Sequence, residues 1–241
     1  MFSNFCFLLP YMEKKFEALE KKLGVKFKNQ DLLRQAMVHR SYLNENKGFG
    51  LDHNERLEFL GDAVLELVVT ENLFLHFPNP EGELTNWRAS LVNSTMLSSI
   101  AVELGIEKYL FLSKGESKDT GKARQYILAN AMEAIIGAMY LDRGWDVSKK
   151  FIEKVVLSEL KNVFDKKLYL DPKSNFQEIA QEKVGVTPCY KVLSESGPDH
   201  AKTFEIGVYL KSEMVGKGSG LSKQEAQEAA ARNALDSKKW D

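Results

Sequence analysis

The 241-residue chain has little of what marks several common protein classes. Its two cysteines, Cys6 and Cys189, lie far apart and match no metal or redox spacing, which excludes a disulfide framework and points to a reduced, cytosolic compartment. The four histidines (His39, His53, His76, His200) are scattered, with no shared metal spacing. No Ser-His-Asp or Cys-His arrangement suggests a nucleophilic enzyme. Charge of one sign is also missing: 33 Lys and Arg stand against 34 Asp and Glu, a net charge of -1. Bulk charge therefore says nothing about a nucleic-acid partner, and any such case must rest on local placement. Long hydrophobic runs are absent. The apolar start (Phe2, Phe5, Phe7, Leu8, Leu9) is too short to span a bilayer and lacks a basic segment or small-residue cleavage site, so neither a membrane protein nor a signal peptide is expected.

What is present is enough apolar content, 44%, for one or two domains with real cores. From Met12 to about Lys166, apolar residues recur every three or four positions without sustained alternation, which predicts helices. The candidates are Met12–Leu23, Asn29–Val38, Asn54–His76, Glu83–Leu104, Arg124–Leu141 and Val147–Phe164. Breaks fall at Lys47–Asp52, Pro78–Gly82 and Lys114–Lys122, with Gly144 as a stop signal. After Asp171-Pro172 the texture changes. A helix at Ser174–Val184 precedes three alternating runs (Cys189–Glu195, Thr203–Leu210, Glu213–Gly218) and an alanine-rich helix at Ser222–Ser237, an α-β-β-β-α order that fits a small two-layer domain. The expected division is a poorly ordered leader at 1–11, a helical domain at 12–165, a charged linker at 166–171 and an α+β domain at 172–241.

The most informative stretch is Asn54-Glu55-Arg56-Leu57-Glu58-Phe59-Leu60-Gly61-Asp62. On a helix, Glu55, Glu58 and Asp62 share one face, while Leu57, Leu60, Val64 and Val68 form a packing face. Like charges stacked this way repel and no lysine follows at i+4, so something positive should sit among them; oxygen donors suit Mg²⁺ or Mn²⁺. An exposed acidic stripe is the competing reading, and spacing alone leaves both open. Gly61, costly in a helix interior, suggests close approach of another backbone. A second helix offers Asn130 and Glu133 at i and i+3, with Ile127, Ala131, Ala134, Ile135 and Ala138 as packing positions. Glu81 follows Pro80 in a turn.

The run from Asn54 to Leu65 resembles the signature of the ribonuclease III family, endonucleases that cut double-stranded RNA. The segment Ile127-Leu128-Ala129-Asn130-Ala131-Met132-Glu133-Ala134 is similar to that family's second acidic motif. The resemblance implies an all-helical endonuclease domain whose ligands for a divalent ion, Mg²⁺ with Mn²⁺ as a substitute, are Glu58, Asp62, Asn130 and Glu133. Asp62 and Glu133 would carry catalysis, and Glu55 and Glu81 would be supporting acids, at the site or at the subunit interface. It further implies products with 5′-phosphate and 3′-hydroxyl ends, a symmetric homodimer with Phe59 at its interface or in the core, processing of rRNA precursors and mRNA, a cytoplasmic location, and no other protein partner. The family usually has Asp where this chain has Asn130, which removes one negative charge from the site. The alternative is a non-catalytic double-stranded RNA-binding dimer with a disabled metal site. His39-Arg40-Ser41 is also similar to a family segment, and reads equally well as a helix end.

Residues 172–241 resemble a double-stranded RNA-binding domain. Ten basic and ten acidic side chains balance there, so placement decides. Ser174, Gln177, Glu178 and Gln181 form a polar helical face suited to ribose 2′-hydroxyls. The resemblance assigns His200 to a minor-groove loop, and Lys217 and Lys223 to phosphates across the major groove. Where the family usually has a basic pair, this chain has Lys223-Gln224.

Overall fold

The structure, a computed structural model, describes residues 15–198 and 202–240. The expected leader at 1–11 and His200 lie outside the described residues. The chain divides into two compact units, one ending at Lys166 and the next beginning at Lys167.

The first unit is helical. Helix α1 (residues 15–23) leads into α2 (Gln30–Ala36), α3 (Arg40–Glu45), α4 (Glu55–His76), α5 (Glu81–Val92), α6 (Ser94–Glu103), α7 (Lys122–Arg143), α8 (Trp145–Val155) and α9 (Leu160–Asp165), with short 3₁₀ turns between. The two 22-residue helices α4 and α7 form the central pair. Leu65, Val68, Val69 and Leu73 of α4 are fully or nearly fully buried, as are Ala131, Met132, Ala134 and Ile135 of α7. Each large aliphatic chain so buried contributes about 1.5–3 kcal/mol. The start of α4 is pinned: Asn54 N–H donates to the Val38 carbonyl at 2.9 Å, and its side-chain amide donates to Ala36 O at 3.3 Å. Acidic Glu55 and Glu58 in the first turn suit the positive end of the helix. Gly144, at φ 78°, closes α7.

Two sequence expectations need correction. The single helix expected at Glu83–Leu104 is two helices, because Asn93 leaves helical geometry at ψ 160°. Its amide donates to the last carbonyls of α5 (Ala89 and Ser90, each 3.1 Å), and its oxygen accepts from Met96 N–H at 2.9 Å, so one side chain closes α5 and caps α6. The helix expected at Val147–Phe164 is likewise divided by a 3₁₀ turn at Leu157–Glu159. Helix α3 was not anticipated, since its six residues carry no buried stripe.

The second unit has the expected order: α10 (Pro172–Val184), β1 (Cys189–Ser196), β2 (Thr203–Leu210), β3 (Glu213–Gly220) and α11 (Lys223–Lys238). The sheet is antiparallel, ordered β1-β2-β3. Its core gathers Phe176, Val208, Val215, Ala230, Ala231 and Ala234. The alanine run serves close packing of helix on sheet. At Gly218 a Cβ would lie 2.7 Å from Ala226 O, and at Gly216 2.7 Å from Ala234 N, so only glycine lets β3 lie against α11.

Candidate nuclease centre and RNA-binding face

The α4–α7 crossing is made by two glycines. A Cβ on Gly61 would fall inside the Glu133 carbonyl and 2.8 Å from Gly137 N; one on Gly137 would meet the Leu57 carbonyl and lie 3.1 Å from Gly61 N. Backbone therefore rests on backbone, as expected for Gly61, and this contact brings the acids of the two helices together. Glu58 and Glu133 are half-buried, whereas Glu55 and Asp62 are exposed. Between Ala131 and Met139, Glu133 is the one position left open to solvent.

The electrostatics follow from this placement. Burial, then the charges of Asp62, Glu58 and Glu66, push the Glu133 carboxyl up to about 8. Glu58 is also raised, by burial and by Glu55 and Asp62, while a hydrogen bond from the Asn130 amide works the other way. Asn130 thus sits against Glu58. Glu55 is flanked instead by the Arg40 guanidinium at 3.5 Å and the His53 ring at 3.7 Å. Glu81 is not brought in. It follows the far end of α4, 14 residues beyond Asp62 or about 21 Å along the axis. There it lines a groove of about 580 Å³ with Phe74, Phe77, Leu84 and Arg88. Sequence reasoning missed Glu66, which had a signal, standing one turn after Asp62, and it gave Arg40 no role at the site.

Three carboxylates and an amide oxygen are hard donors of the kind Mg²⁺ takes. Among the described residues no three His, Cys, Asp or Glu side chains stand close enough to hold an ion as they are. The chemistry of the donor set nonetheless fits a divalent ion.

On the second unit, Ser174, Gln177, Glu178 and Gln181 all lie exposed on α10, opposite buried Phe176 and Ala180. Ser174 and Gln177 line a groove of about 600 Å³ with Asp171, Lys173, Gln224, Gln227 and Glu228. Lys223 opens α11 behind the Ser222 cap. It pairs with Glu195 at 3.5 Å and lies 5.5 Å from the Phe204 ring. Lys217 does not join it. Because Gly216 and Gly218 face α11, alternation turns Lys217 to the open face of the sheet, where it meets Glu205 at 2.8 Å.

Comparison with known proteins gives two adjoining matches. Residues 29–160 match the Ribonuclease-III-like family, and residues 172–238 match the double-stranded RNA binding motif. The chain belongs to the ribonuclease III family. It is 45% identical over 218 residues to Ribonuclease 3 of Desulforamulus reducens, covering 90% of this chain and 89% of that one. Against Ribonuclease 3 of Nitratiruptor sp. it is 43% identical over 223 residues, 92% of this chain and 96% of the relative. The nuclease domain of Campylobacter jejuni ribonuclease III, solved in a study of flexibility in a region involved in dimer formation, is 42% identical. It covers 58% of this chain and 96% of its own, with a TM-score of 0.51.

Proposed function

We propose that the chain hydrolyses double-stranded RNA with a divalent ion, Mg²⁺ by preference, held by Glu58, Asp62, Asn130 and Glu133. That it is a double-strand-specific endoribonuclease follows from its family membership and its two matched segments. The finer reading rests on one observation: at the α4–α7 crossing, burial together with the neighbouring carboxylates of Asp62, Glu58 and Glu66 pushes Glu133 up to about 8. A bound divalent ion lowers the pKa of a water and stabilises charge developing on the phosphate. Glu133 and Glu58 would be held in the ionised state by that ion, and the Asn130 amide would orient Glu58. The products are expected to carry 5′-phosphate and 3′-hydroxyl ends, and the substrates to include rRNA and mRNA precursors in the cytoplasm. Among the described residues no helix is long and apolar enough to cross a membrane. The proposed division of labour is catalysis at 12–165, a linker at 166–171 and RNA binding at 172–241, with Ser174, Gln177, Glu178, Gln181 and Lys223 facing the duplex, His200 in the minor groove and Lys217 as a peripheral cation.

A symmetric homodimer is part of this proposal. Phe59 is 81% exposed, and Leu67 and Phe74 on the same side of α4 are 57% and 75% exposed, an apolar stripe that a second copy would cover. Phe59 thus lies outside the core of its own chain.

The deciding experiment is cleavage of a long paired RNA with Mg²⁺, with EDTA and with Glu133→Gln. Metal-dependent cutting that falls at least about a hundredfold in Glu133→Gln is the expected result. Binding without cutting in the unaltered chain, restored by Asn130→Asp, would instead identify a disabled nuclease, the alternative that only Asn130 favours.

A further inference from the structure

The His39-Arg40-Ser41 segment holds a cation that the acidic centre does not account for. His39 and Ser41 are engaged inward. Burial holds the His39 imidazole below its ordinary range, its Nδ1 lies 2.8 Å from Ser41 Oγ, and Ser41 Oγ accepts Ser113 N–H at 3.1 Å. The backbone is fastened on both sides, by His39 N–H to Phe111 O at 3.1 Å and by Asn54 N–H to Val38 O at 2.9 Å. Arg40, between the two engaged residues, is left pointing outward: its side chain is 71% exposed, with Nη1 3.5 Å from Glu55 Oε1. The same pinning that starts α4 therefore sets this guanidinium beside Glu55, which stands one helical turn before Glu58 at the rim of the carboxylates.

A centre built from converging carboxylates repels the polyanion it must receive, so a rim cation has an evident use. A guanidinium suits it, since its planar fork matches two phosphate oxygens and it stays charged at any working pH. The contact to Glu55 is long and exposed, the kind of pair that yields readily to a stronger partner. We propose that Arg40 binds an RNA backbone phosphate beside the carboxylate cluster, with Glu55 as its tether in the free protein. This rests on the double-stranded RNA endonuclease reading and adds a phosphate-positioning residue to it.

The test uses the full chain. Binding of a duplex RNA is followed in EDTA across a salt series for the unaltered protein, Arg40→Gln and Arg40→Lys. Arg40→Gln is expected to bind about fivefold more weakly, and its slope of log K against log salt to become shallower by about one. Arg40→Lys recovers the slope with only part of the affinity. With Mg²⁺ the loss in Arg40→Gln falls in KM rather than kcat, and the metal-free melting temperature stays with that of the unaltered protein. An unchanged salt slope in Arg40→Gln, or a lowered melting temperature as the sole effect, overturns the proposal and makes Arg40 a strut for Glu55. Unaltered protein that fails to bind duplex RNA sinks the nuclease reading itself, and this inference with it.

Discussion

The two units treat charge in opposite ways. In the helical unit, burial at the α4–α7 crossing, reinforced by neighbouring carboxylates, makes Glu133 and Glu58 resist ionising. In the α+β unit, cations meet acids across the surface: Lys223 with Glu195, Lys217 with Glu205, Lys238 with Glu213. Unbalanced charge that a fold maintains at its centre calls for a ligand of opposite sign. Balanced surface charge leaves recognition to shape and hydrogen bonding, which is how an A-form groove is read by a polar helix such as α10.

The contrast breaks most visibly in the metal-free protein as pH is raised. Glu133 titrates near 8 in the fold against an ordinary value of 4.5, so its stabilising contribution is full below about 4.5 and is lost as pH climbs through about 8. Glu58 shifts in the same direction. The melting temperature in EDTA should fall by several degrees between pH 6 and 9, and Glu133→Gln should flatten that fall. Mg²⁺ should raise the melting point at pH 8 and lose most of that effect in Glu133→Gln. A pH-independent melting curve would mean that neither burial nor the neighbouring carboxylates raise Glu133 in the fold.

A smaller effect is expected on the second unit. Lys223→Gln should weaken duplex RNA binding in EDTA about two- to fivefold, because the lysine must leave Glu195 and Phe204 to reach a phosphate. Smallest of all, Lys217→Gln should leave binding within about twofold, since its side chain lies on the open face of the sheet. Equal losses at both lysines, measured by fluorescence anisotropy, would contradict that separation.

How much of this was legible in the sequence differs between the same two regions. The acidic run and Gly61 were readable because a helix makes spacing equal to placement, and the backbone contact at Gly137 follows from the cost of glycine in a helix. The alanine-rich pattern of α11 was readable as a helix packed closely on a sheet, whereas the part the β3 glycines play in that contact came only with the structure. Lys217 was misleading: proximity to Lys223 along the chain suggested a shared phosphate site, but a strand sends neighbours to opposite faces. Asn93 escaped notice because its apolar flanks continue helical periodicity while a single amide turns the chain. Glu55 looked like a member of a bare stripe, since its partner Arg40 arrives from another helix, a fact that only tertiary structure supplies.

The glycine crossing has a further consequence. With Gly61 and Gly137 in backbone contact, the separation of α4 and α7 is fixed like the jaws of a locked calliper. Exchanging Glu133 for Asp would shorten its reach by about one bond length, roughly 1.5 Å, and neither helix can slide inward to make up the difference. The room left between these helices for the proposed ion is therefore set by the main chain, and the side chains would only choose what kind of atom faces it.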